Sequence, residues 1–276
     1  MSKSVVLMGL GLDNLSERQV TERILGEVVS GRGGWLINPN VDVLRQIAND
    51  PELKELSRQA DLAVADGMPL IWASRLQRTP LVERVPGRQL IWTMCRAASS
   101  RGVSVFLLGG ESGVAVEAAA ALTRYIPNLD VVGTHCPPHG FEDDERCIDY
   151  ILTQLYSARP GVVFCGLGFP KQERLMSLLA ERLPSTWFIG SGATLTMAAG
   201  RVRCAPNWMQ RLGLEWLFRL IQEPRRLFSR YVIHDLPFAF RLLIASARKR
   251  SLAPMSERTS PSHGAEVGIA TDGGTP

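Results

Sequence analysis

The chain has 276 residues, of which 45% are hydrophobic and 21% are charged, as in an average soluble globular protein. These values exclude a mostly disordered chain, a collagen-like chain and a disulfide-stapled mini-protein, and the length suits one large domain or a domain with an appendage. The net charge of +4 is uneven, because residues 201–250 carry 11 Lys and Arg side chains against only three acidic ones. This basic segment predicts an anionic partner: a nucleic acid, a phosphorylated ligand or a membrane surface.

The five cysteines are scattered along the chain and form no C-x-x-C pair. This pattern argues against a disulfide framework and a structural zinc site, and it favours the reducing cytosol. No stretch approaches the ~18 uninterrupted apolar residues of a membrane-spanning helix, and the N-terminus is a poor signal peptide. We therefore expect a protein that is neither secreted nor membrane-spanning.

Up to about residue 200, short apolar runs alternate with longer segments of helical period. The predicted strands are 4–8, 35–37, 62–64, 103–108, 129–132, 162–165 and 187–189, and the clearest predicted helices are 15–29, 114–125 and 146–156. This alternation predicts an α/β fold with a mostly parallel, Rossmann-like sheet and helices on both faces. Ligands of such sheets lie beyond the carboxyl ends of the strands, so the loops there are the first candidates for chemistry.

The pattern changes near residue 207. Residues 208–222 are predicted to form one amphipathic helix, which Pro224 interrupts, and 225–250 resume a helical period in which Pro237 would end or kink the helix. Residues 251–276 are rich in Ser, Pro, Gly and Thr, and we predict that they are disordered. The predicted organisation is thus an α/β body over 1–206, a helical appendage over 207–250 and a tail over 251–276.

Two predicted strands end in polar residues that suit a functional site. Asp66 follows strand 62–64, so it either caps the next helix or acts as a general base facing the crevice at the sheet edge. Asn38 and Asn40 follow strand 35–37. One of them could cap a helix, and two neutral amides could also hydrogen-bond the hydroxyls of a sugar.

A glycine-rich loop follows the strand 103–108. Gly109, Gly110 and Gly113 precede a predicted helix, where free N–H groups could hold a phosphate or simply form a turn. The other strand-end glycine loops, at Gly9 and Gly168, lack the third glycine of a dinucleotide fingerprint. This absence argues against the alternative of an NAD-dependent enzyme.

Lys171 and Gln172 open the helix that follows Gly168. Lys171 opposes the helix dipole and therefore calls for another role. A metal site is not expected, because two prolines separate His135 from His139 and the acidic run 142–145 lacks the strand context of a nucleotide-sugar D-x-D site.

Several sequence strings, taken in order, resemble those of one bacterial enzyme family. They are N-P-N, A-D-G-M-P, P-G-R, F-L-L-G-G-x-x-G-V-A, C-G-L-G-F-P-K-Q-E, G-A-T-L-T-M-A-A-G-R-V-R-C-A-P-x-W-M and G-L-E-W-L-F-R-L-I-Q-E-P-R-R. Their joint order is similar to that of the WecG/TagA/CpsF glycosyltransferases, glycosyltransferase family 26, over roughly residues 5–243.

The resemblance implies an inverting transfer of a sugar from a UDP-sugar to a polyprenyl-diphosphate-linked saccharide, without a metal or other cofactor. It places the enzyme at the inner face of the plasma membrane, in the synthesis of teichoic acid, enterobacterial common antigen or exopolysaccharide. The sugar stays open between N-acetylmannosamine, its uronic acid and another hexose. Family members commonly self-associate, so a homo-oligomer is also possible.

By position, the resemblance makes Asp66 the base, Arg88 a residue near the acceptor, and Asn40 and Gln172 further active-site residues. Asn38 stands where many members have Thr, which keeps a polar group but leaves the sugar specificity open.

The C-terminal arginines match an appendage that docks on the membrane and closes over the nucleotide diphosphate. Since Ser229 stands where another Arg is expected, the phosphate clamp is predicted to consist of Arg219, Arg226 and Arg230. Contacts to the nucleotide or diphosphate are also expected from Gly109, Gly110, Gly113, Gly168 and Lys171.

The basic segment allows two other interpretations. A nucleic-acid-binding protein would show affinity that falls steeply with salt, but the aromatic and Pro content of the segment and the lack of a recognition motif argue against it. The interleaved aromatic residues give the segment an amphipathic character that suits a membrane surface, or alternatively a helix packed on its own domain or on a neighbouring subunit.

Overall fold

The computed structural model describes residues 4–202 and 205–252. Within these residues, the centre is a sheet of six strands: β3 Gly34–Ile37, β4 Leu62–Ala63, β5 Val105–Gly109, β6 Val131–His135, β7 Val162–Gly166 and β8 Trp187–Gly190. The strands lie in the order β4-β3-β8-β7-β5-β6, and each neighbouring pair is parallel. The predicted α/β fold with a parallel, Rossmann-like sheet is confirmed.

The first predicted strand, 4–8, does not join this sheet. Strands β1 Ser4–Leu7 and β2 Leu10–Asp13 form a separate antiparallel hairpin. Met8 and Gly9 form its turn with φ of 49° and 85°, and turn residues of positive φ match the twist of a two-residue hairpin. The hairpin contacts the edge of the sheet through Asp13, whose carboxylate accepts a hydrogen bond from the Ala63 N–H at 3.0 Å.

In the described part of the body, nine helices cover both faces of the sheet. They are α1 Glu17–Val29, α2 Val41–Asn49, α3 Pro51–Arg58, α4 Met68–Leu76, α5 Gly87–Arg101, α6 Val114–Tyr125, α7 Glu145–Ala158, α8 Lys171–Arg182 and α9 Thr194–Ala198. Apolar residues of α1, α5, α6 and α9 form the core on one face, and those of α2, α3, α4, α7 and α8 form the core on the other. Because both faces are covered, the strands are continuous apolar runs in the sequence.

The predicted appendage, residues 207–250, is helical, but residues 208–222 are not one helix. It consists of α10 Asn207–Arg211, α11 Glu215–Gln222, α12 Pro224–Phe228, a π-helical turn Ser229–Asp235 and α13 Leu236–Leu252. Gly213 separates α10 from α11 with a φ of +72°, a left-handed conformation that favours glycine. A Cβ at Gly213 would also lie 2.9 Å from that of Met68, so α4 approaches closely where the chain bends.

The appendage packs on the body through a few apolar residues. Leu227, Phe238 and Leu242 are buried, and α13 lies along α4. Pro237 is the second residue of α13 and directly follows the π-helical turn, so the helix changes its type at the predicted proline. The boundary at residue 206 stays a prediction. The predicted tail begins at residue 251, but α13 continues to Leu252, and residues 253–276 lie outside the described residues. No helix in the described parts of the chain is long and apolar enough to cross a bilayer.

Candidate active site

Four neighbouring strands, β4, β3, β8 and β7, end at one crevice of about 400 Å³. Loops from the body form its floor, and α11, α12 and the π-helical turn of the appendage contribute the other side. The crevice brings together nine of the residues predicted from the sequence: Asn38, Asn40, Asp66, Arg88, Gly168, Gln172, Arg219, Arg226 and Arg230. Residues from distant parts of the chain thus meet at one edge of the sheet.

Asp66 lies in the loop between β4 and α4, and its backbone N–H donates to the carbonyl of Pro39 at 3.0 Å. The alternative in which Asp66 caps α4 is wrong, because the N-cap is Gly67 and no side chain supplies the cap hydrogen bond. The carboxyl group is therefore directed to the crevice instead of the helix end.

The surroundings of Asp66 make it a stronger base than an ordinary carboxylate. Burial raises the pKa of Asp66 to about 6, and the Glu215 carboxylate acts in the same direction. Arg84, Arg88 and Arg219 oppose this shift, because they stabilise the ionised form. A carboxyl group with a pKa near 6 is ionised at pH 7 and remains a competent proton acceptor.

The two asparagines predicted to bind a sugar make different contacts in the structure. Asn40 caps α2, since its side-chain oxygen accepts from the Val43 N–H at 3.1 Å, and only its amide N–H₂ group is left for a ligand. The Asn38 amide nitrogen lies 2.8 Å from the position that a Cβ at Gly87 would occupy. Gly87 therefore lets the start of α5 approach the crevice closely.

Gln172 ties two strand-end loops together. Its side-chain oxygen accepts from the N–H groups of Gly168, after β7, and Gly192, after β8, both at 3.2 Å. Its amide nitrogen donates to the Glu173 carboxyl group at 2.8 Å. The Gln172 side chain is buried and its oxygen is shared by the two loops, so its observed role is to position them.

Glu173 and Ser191 are crevice residues that the sequence did not single out as site residues. The Glu173 side chain is only 2% exposed, and burial raises its pKa to about 7. One Glu173 oxygen and the Ser191 hydroxyl have no hydrogen-bond partner among the described residues. Buried polar groups are normally paired, so these two mark places where a ligand or water would be bound.

Two arginines of the body meet the appendage beside Asp66. Arg84 and Arg88 each form an ion pair of 3.4 Å with Glu215 of α11. Arg88 also donates to the side-chain oxygen of Gln210 in α10. The appendage therefore holds the predicted acceptor residue, Arg88, from two helices.

The predicted diphosphate clamp is divided in the structure. Arg219 lines the crevice, and its buried Nε has no hydrogen-bond partner among the described residues, which leaves it available to an anion. Arg226 lines the same crevice but forms an ion pair with Glu223 one turn away, at 2.6 Å.

Arg230 is engaged in an ion-pair cluster that fastens the appendage to α2. It contacts Asp42 at 2.8 Å and Asp235 at 3.9 Å, while Arg45 contacts Asp42 at 2.5 Å and Asp235 at 3.0 Å. Burial and the charge of Asp42 raise the pKa of Asp235, and the hydrogen bond from Arg45 partly offsets this. The observed contacts of Arg230 are thus structural, and its role at the diphosphate stays a prediction.

The remaining predicted phosphate contacts lie outside the crevice lining. Gly109, Gly110 and Gly113 form the turn into α6 with positive φ, and the Gly110 N–H donates to the Gly166 carbonyl at 2.8 Å. Lys171 forms an ion pair with Glu142, which explains a cation at the start of α8. Phosphate binding by these four residues remains a prediction.

The described residues contain no group of three or more His, Cys, Asp or Glu side chains that could hold a metal ion. The His135 ring packs against Tyr150 at 5.2 Å. Glu142, the first acid of the run 142–145, is paired with Lys171.

Comparison with known proteins assigns the chain to a class of enzyme. Residues 5–252 match the sequence model of the Glycosyl transferase WecG/TagA/CpsF family, so the chain belongs to that family and is a glycosyltransferase. This membership favours sugar transfer over the NAD-dependent and nucleic-acid-binding alternatives.

The relatives of this chain are named for a more specific activity. Proteins of Staphylococcus aureus strains MW2, NCTC 8325 and MRSA252 are each 28% identical over 248 residues, which cover 89% of this chain and 94% of theirs. All three are named N-acetylglucosaminyldiphosphoundecaprenol N-acetyl-beta-D-mannosaminyltransferase.

Proposed function

We propose that this protein transfers a sugar from a UDP-sugar to a saccharide linked to a polyprenyl diphosphate, with inversion at the anomeric carbon and without a metal. Asp66 is the base, and the observation that carries this role is its position: a strand-end carboxylate with a pKa near 6 in a crevice that four strand ends share. The name of the relatives makes N-acetylmannosamine the first sugar to test and a lipid-linked N-acetylglucosamine the first acceptor.

Inversion needs one base and one displacement. The ionised Asp66 takes the proton of the acceptor hydroxyl as its oxygen attacks the anomeric carbon of the donor. The bond from that carbon to the diphosphate oxygen breaks, and the electron pair leaves with UDP. One carboxylate therefore suffices as the base. Burial raises the pKa of Glu173, so this second carboxyl group holds its proton more tightly than an ordinary one.

The departing diphosphate gains negative charge, which the appendage is placed to stabilise. Arg219 lines the crevice and has a buried Nε without a hydrogen-bond partner among the described residues, and Arg226 lines the same crevice with a mostly exposed side chain. Guanidinium groups beside the departing diphosphate stabilise its developing negative charge, so they supply what a metal ion supplies in other transferases.

The appendage is also the proposed contact with the membrane, where a lipid-linked acceptor resides. Large apolar side chains are exposed along it: Trp208, Leu212, Ile221, Phe228, Ile233, Phe240 and Ile244. Combined with 11 basic residues over 201–250, they suit peripheral binding to an anionic bilayer at the inner face of the plasma membrane.

The test is a panel of UDP-sugars incubated with the full chain and a lipid-diphosphate-linked N-acetylglucosamine. Transfer of one sugar to the lipid, unaffected by EDTA, is the expected result. No transfer with any donor, or activity lost to EDTA and restored by Mg²⁺ or Mn²⁺, would contradict the proposal.

A further inference from the structure

A second concavity, which we call the α5 groove, runs along the exposed side of α5 and measures about 760 Å³. Arg88, Trp92 and Arg96 of α5 line it, and Tyr125 and Met197 lie opposite. Since the three α5 residues recur every four positions, they share one face of the helix. The catalytic step described above uses none of this surface except Arg88.

The α5 groove adjoins the crevice. Arg88, Thr194 and Met197 line both spaces, so the two concavities meet at these three residues. Arg219 and Arg226, the proposed partners of the leaving diphosphate, line the crevice but are not part of the groove. The groove therefore lies on the acceptor side of the site.

The lining combines cationic and aromatic groups. The Arg96 guanidinium lies 5.9 Å from the centre of the Trp92 ring, and the Trp92 and Tyr125 rings meet edge to face at 6.0 Å. Tyr125 is 66% exposed, so its ring offers an accessible apolar face to a ligand in the groove. Glu17 is the acidic member of the lining, and its carboxylate accepts a hydrogen bond from Thr93.

We propose that the α5 groove binds the diphosphate and the first isoprene units of the acceptor lipid. The proposal rests on the proposed function, which places the acceptor sugar at Asp66. The diphosphate then leaves the crevice past Arg88 towards Arg96, and the chain lies on Trp92 and Tyr125.

The position of α10 supports this path. Gln210 contacts Arg88, so α10 lies beside the point where the crevice meets the groove. Trp208 and Leu212, at the two ends of this short helix, are 59% and 58% exposed. The acceptor path past Arg88 therefore begins beside exposed apolar side chains of the appendage, which suit the surface of a bilayer.

The experiment compares two acceptors that carry the same sugar diphosphate, one on a polyprenyl chain and one on a short alkyl chain. Trp92→Ala and Tyr125→Ala are expected to raise the KM for the polyprenyl acceptor by about tenfold, because a large apolar contact is lost. They should leave the KM for the short-chain acceptor and for the UDP-sugar unchanged. Arg96→Ala should raise the KM for both acceptors, since both carry the diphosphate.

Tyr150→Ala is the matched control, because Tyr150 is also an exposed tyrosine, at 52%, in contact with one aromatic ring. It lies on α7, which covers the opposite face of the sheet, and its KM values should equal those of the wild type. Tyr125 and Arg96 are exposed, so their variants keep the test valid if Trp92→Ala fails to fold.

Two outcomes would overturn the inference and are distinguishable from failure of the proposed function. If the wild type transfers sugar but the Tyr125 and Arg96 variants keep normal KM values for both acceptors, the groove does not hold the lipid. If these variants instead raise the KM for the UDP-sugar, the groove belongs to the donor. A wild type that transfers nothing to any lipid-linked acceptor would contradict the proposed function itself.

Discussion

The two sides of the crevice hold their functional groups by different means. On the body side, loops after parallel strands fix Asp66 and Gln172 through backbone hydrogen bonds, and neighbouring Glu173 is buried. On the appendage side, α11 has no fully buried residue, and Glu215 is held by ion pairs with Arg84 and Arg88. Burial thus raises the pKa values of carboxyl groups on the body side, while the appendage adds charged groups through its docking on the body.

The largest effect is expected from the body side. Asp66→Asn keeps the size of the side chain but removes the base, so turnover should fall by about 10²–10⁴-fold. The sugar-transfer assay measures this, and thermal unfolding should show a Tm close to that of the wild type. Asp130→Asn, an exposed acid just before β6, is the control and should retain full activity. Near-normal activity of Asp66→Asn would show that Asp66 is not the base.

Arg219→Ala tests the appendage side. Loss of its buried N–H group from the leaving diphosphate should lower kcat by about 10²–10³-fold, the usual effect of removing one donor to a developing oxyanion. Arg225→Ala removes the same charge from an exposed position and should reduce vesicle co-sedimentation without lowering kcat comparably. Equal losses of kcat in both variants would mean that the positive charge of the appendage matters, and that Arg219 makes no specific contact with the diphosphate.

Glu173→Gln tests how much the burial of an ionised carboxylate lowers the stability of the body. Because burial raises the pKa of Glu173 from 4.5 to about 7, its contribution to stability is full below pH 4.5 and is lost as the pH rises through 7. The Gln variant does not ionise, so above pH 7 it should exceed the wild type in free energy of unfolding by about 1–3 kcal/mol.

Urea unfolding at pH 4 and pH 8 measures this difference, which should vanish at the lower pH. Glu181→Gln, the other acid of α8, lies at its exposed end and should show no such pH dependence. If the Glu173→Gln variant were instead less stable than the wild type at pH 8, the ionised carboxylate would stabilise the folded state, contrary to this prediction.

Glu215→Gln links the two sides and should have the smallest effect. The substitution removes a charge that raises the pKa of Asp66 and frees Arg84 and Arg88, which lower it. The acid limb of kcat/KM should therefore shift to lower pH than about 6, and the plateau rate should fall a few-fold because the base is weaker. Glu223→Gln, which loses only a local ion pair with Arg226, should keep the wild-type pH profile.

Much of the body could be predicted from the sequence, because buried parallel strands are continuous apolar runs that end in recognisable loops. Asp66, Asn38 and Gln172 were found in this way or by their resemblance to a family. The hairpin β1–β2 was missed, because an apolar run does not reveal which strand it pairs with. The Met8-Gly9 turn also resembles a strand-to-helix loop.

The appendage was less predictable for a physical reason. Gly213 lies inside a good helical period, and its left-handed φ and the close approach of Met68 appear only in the folded chain. The roles of Glu173 and Glu215 depend on burial and on partners far away in the chain, which no local pattern records. Likewise, Arg230 is one more arginine of the basic segment until Asp42 and Asp235 are seen around it.

The single oxygen of Gln172 that accepts from both Gly168 and Gly192 sets the width of the crevice floor. Separating the β7 and β8 loops would break both hydrogen bonds at once, whereas α11 has no fully buried residue and joins the body through the ion pairs of Glu215. A bulkier donor sugar would therefore be accommodated by displacement of the appendage while the floor keeps its dimensions. Substrate range in this enzyme should accordingly change through substitutions in α11 and α12 more readily than through substitutions at the ends of the strands.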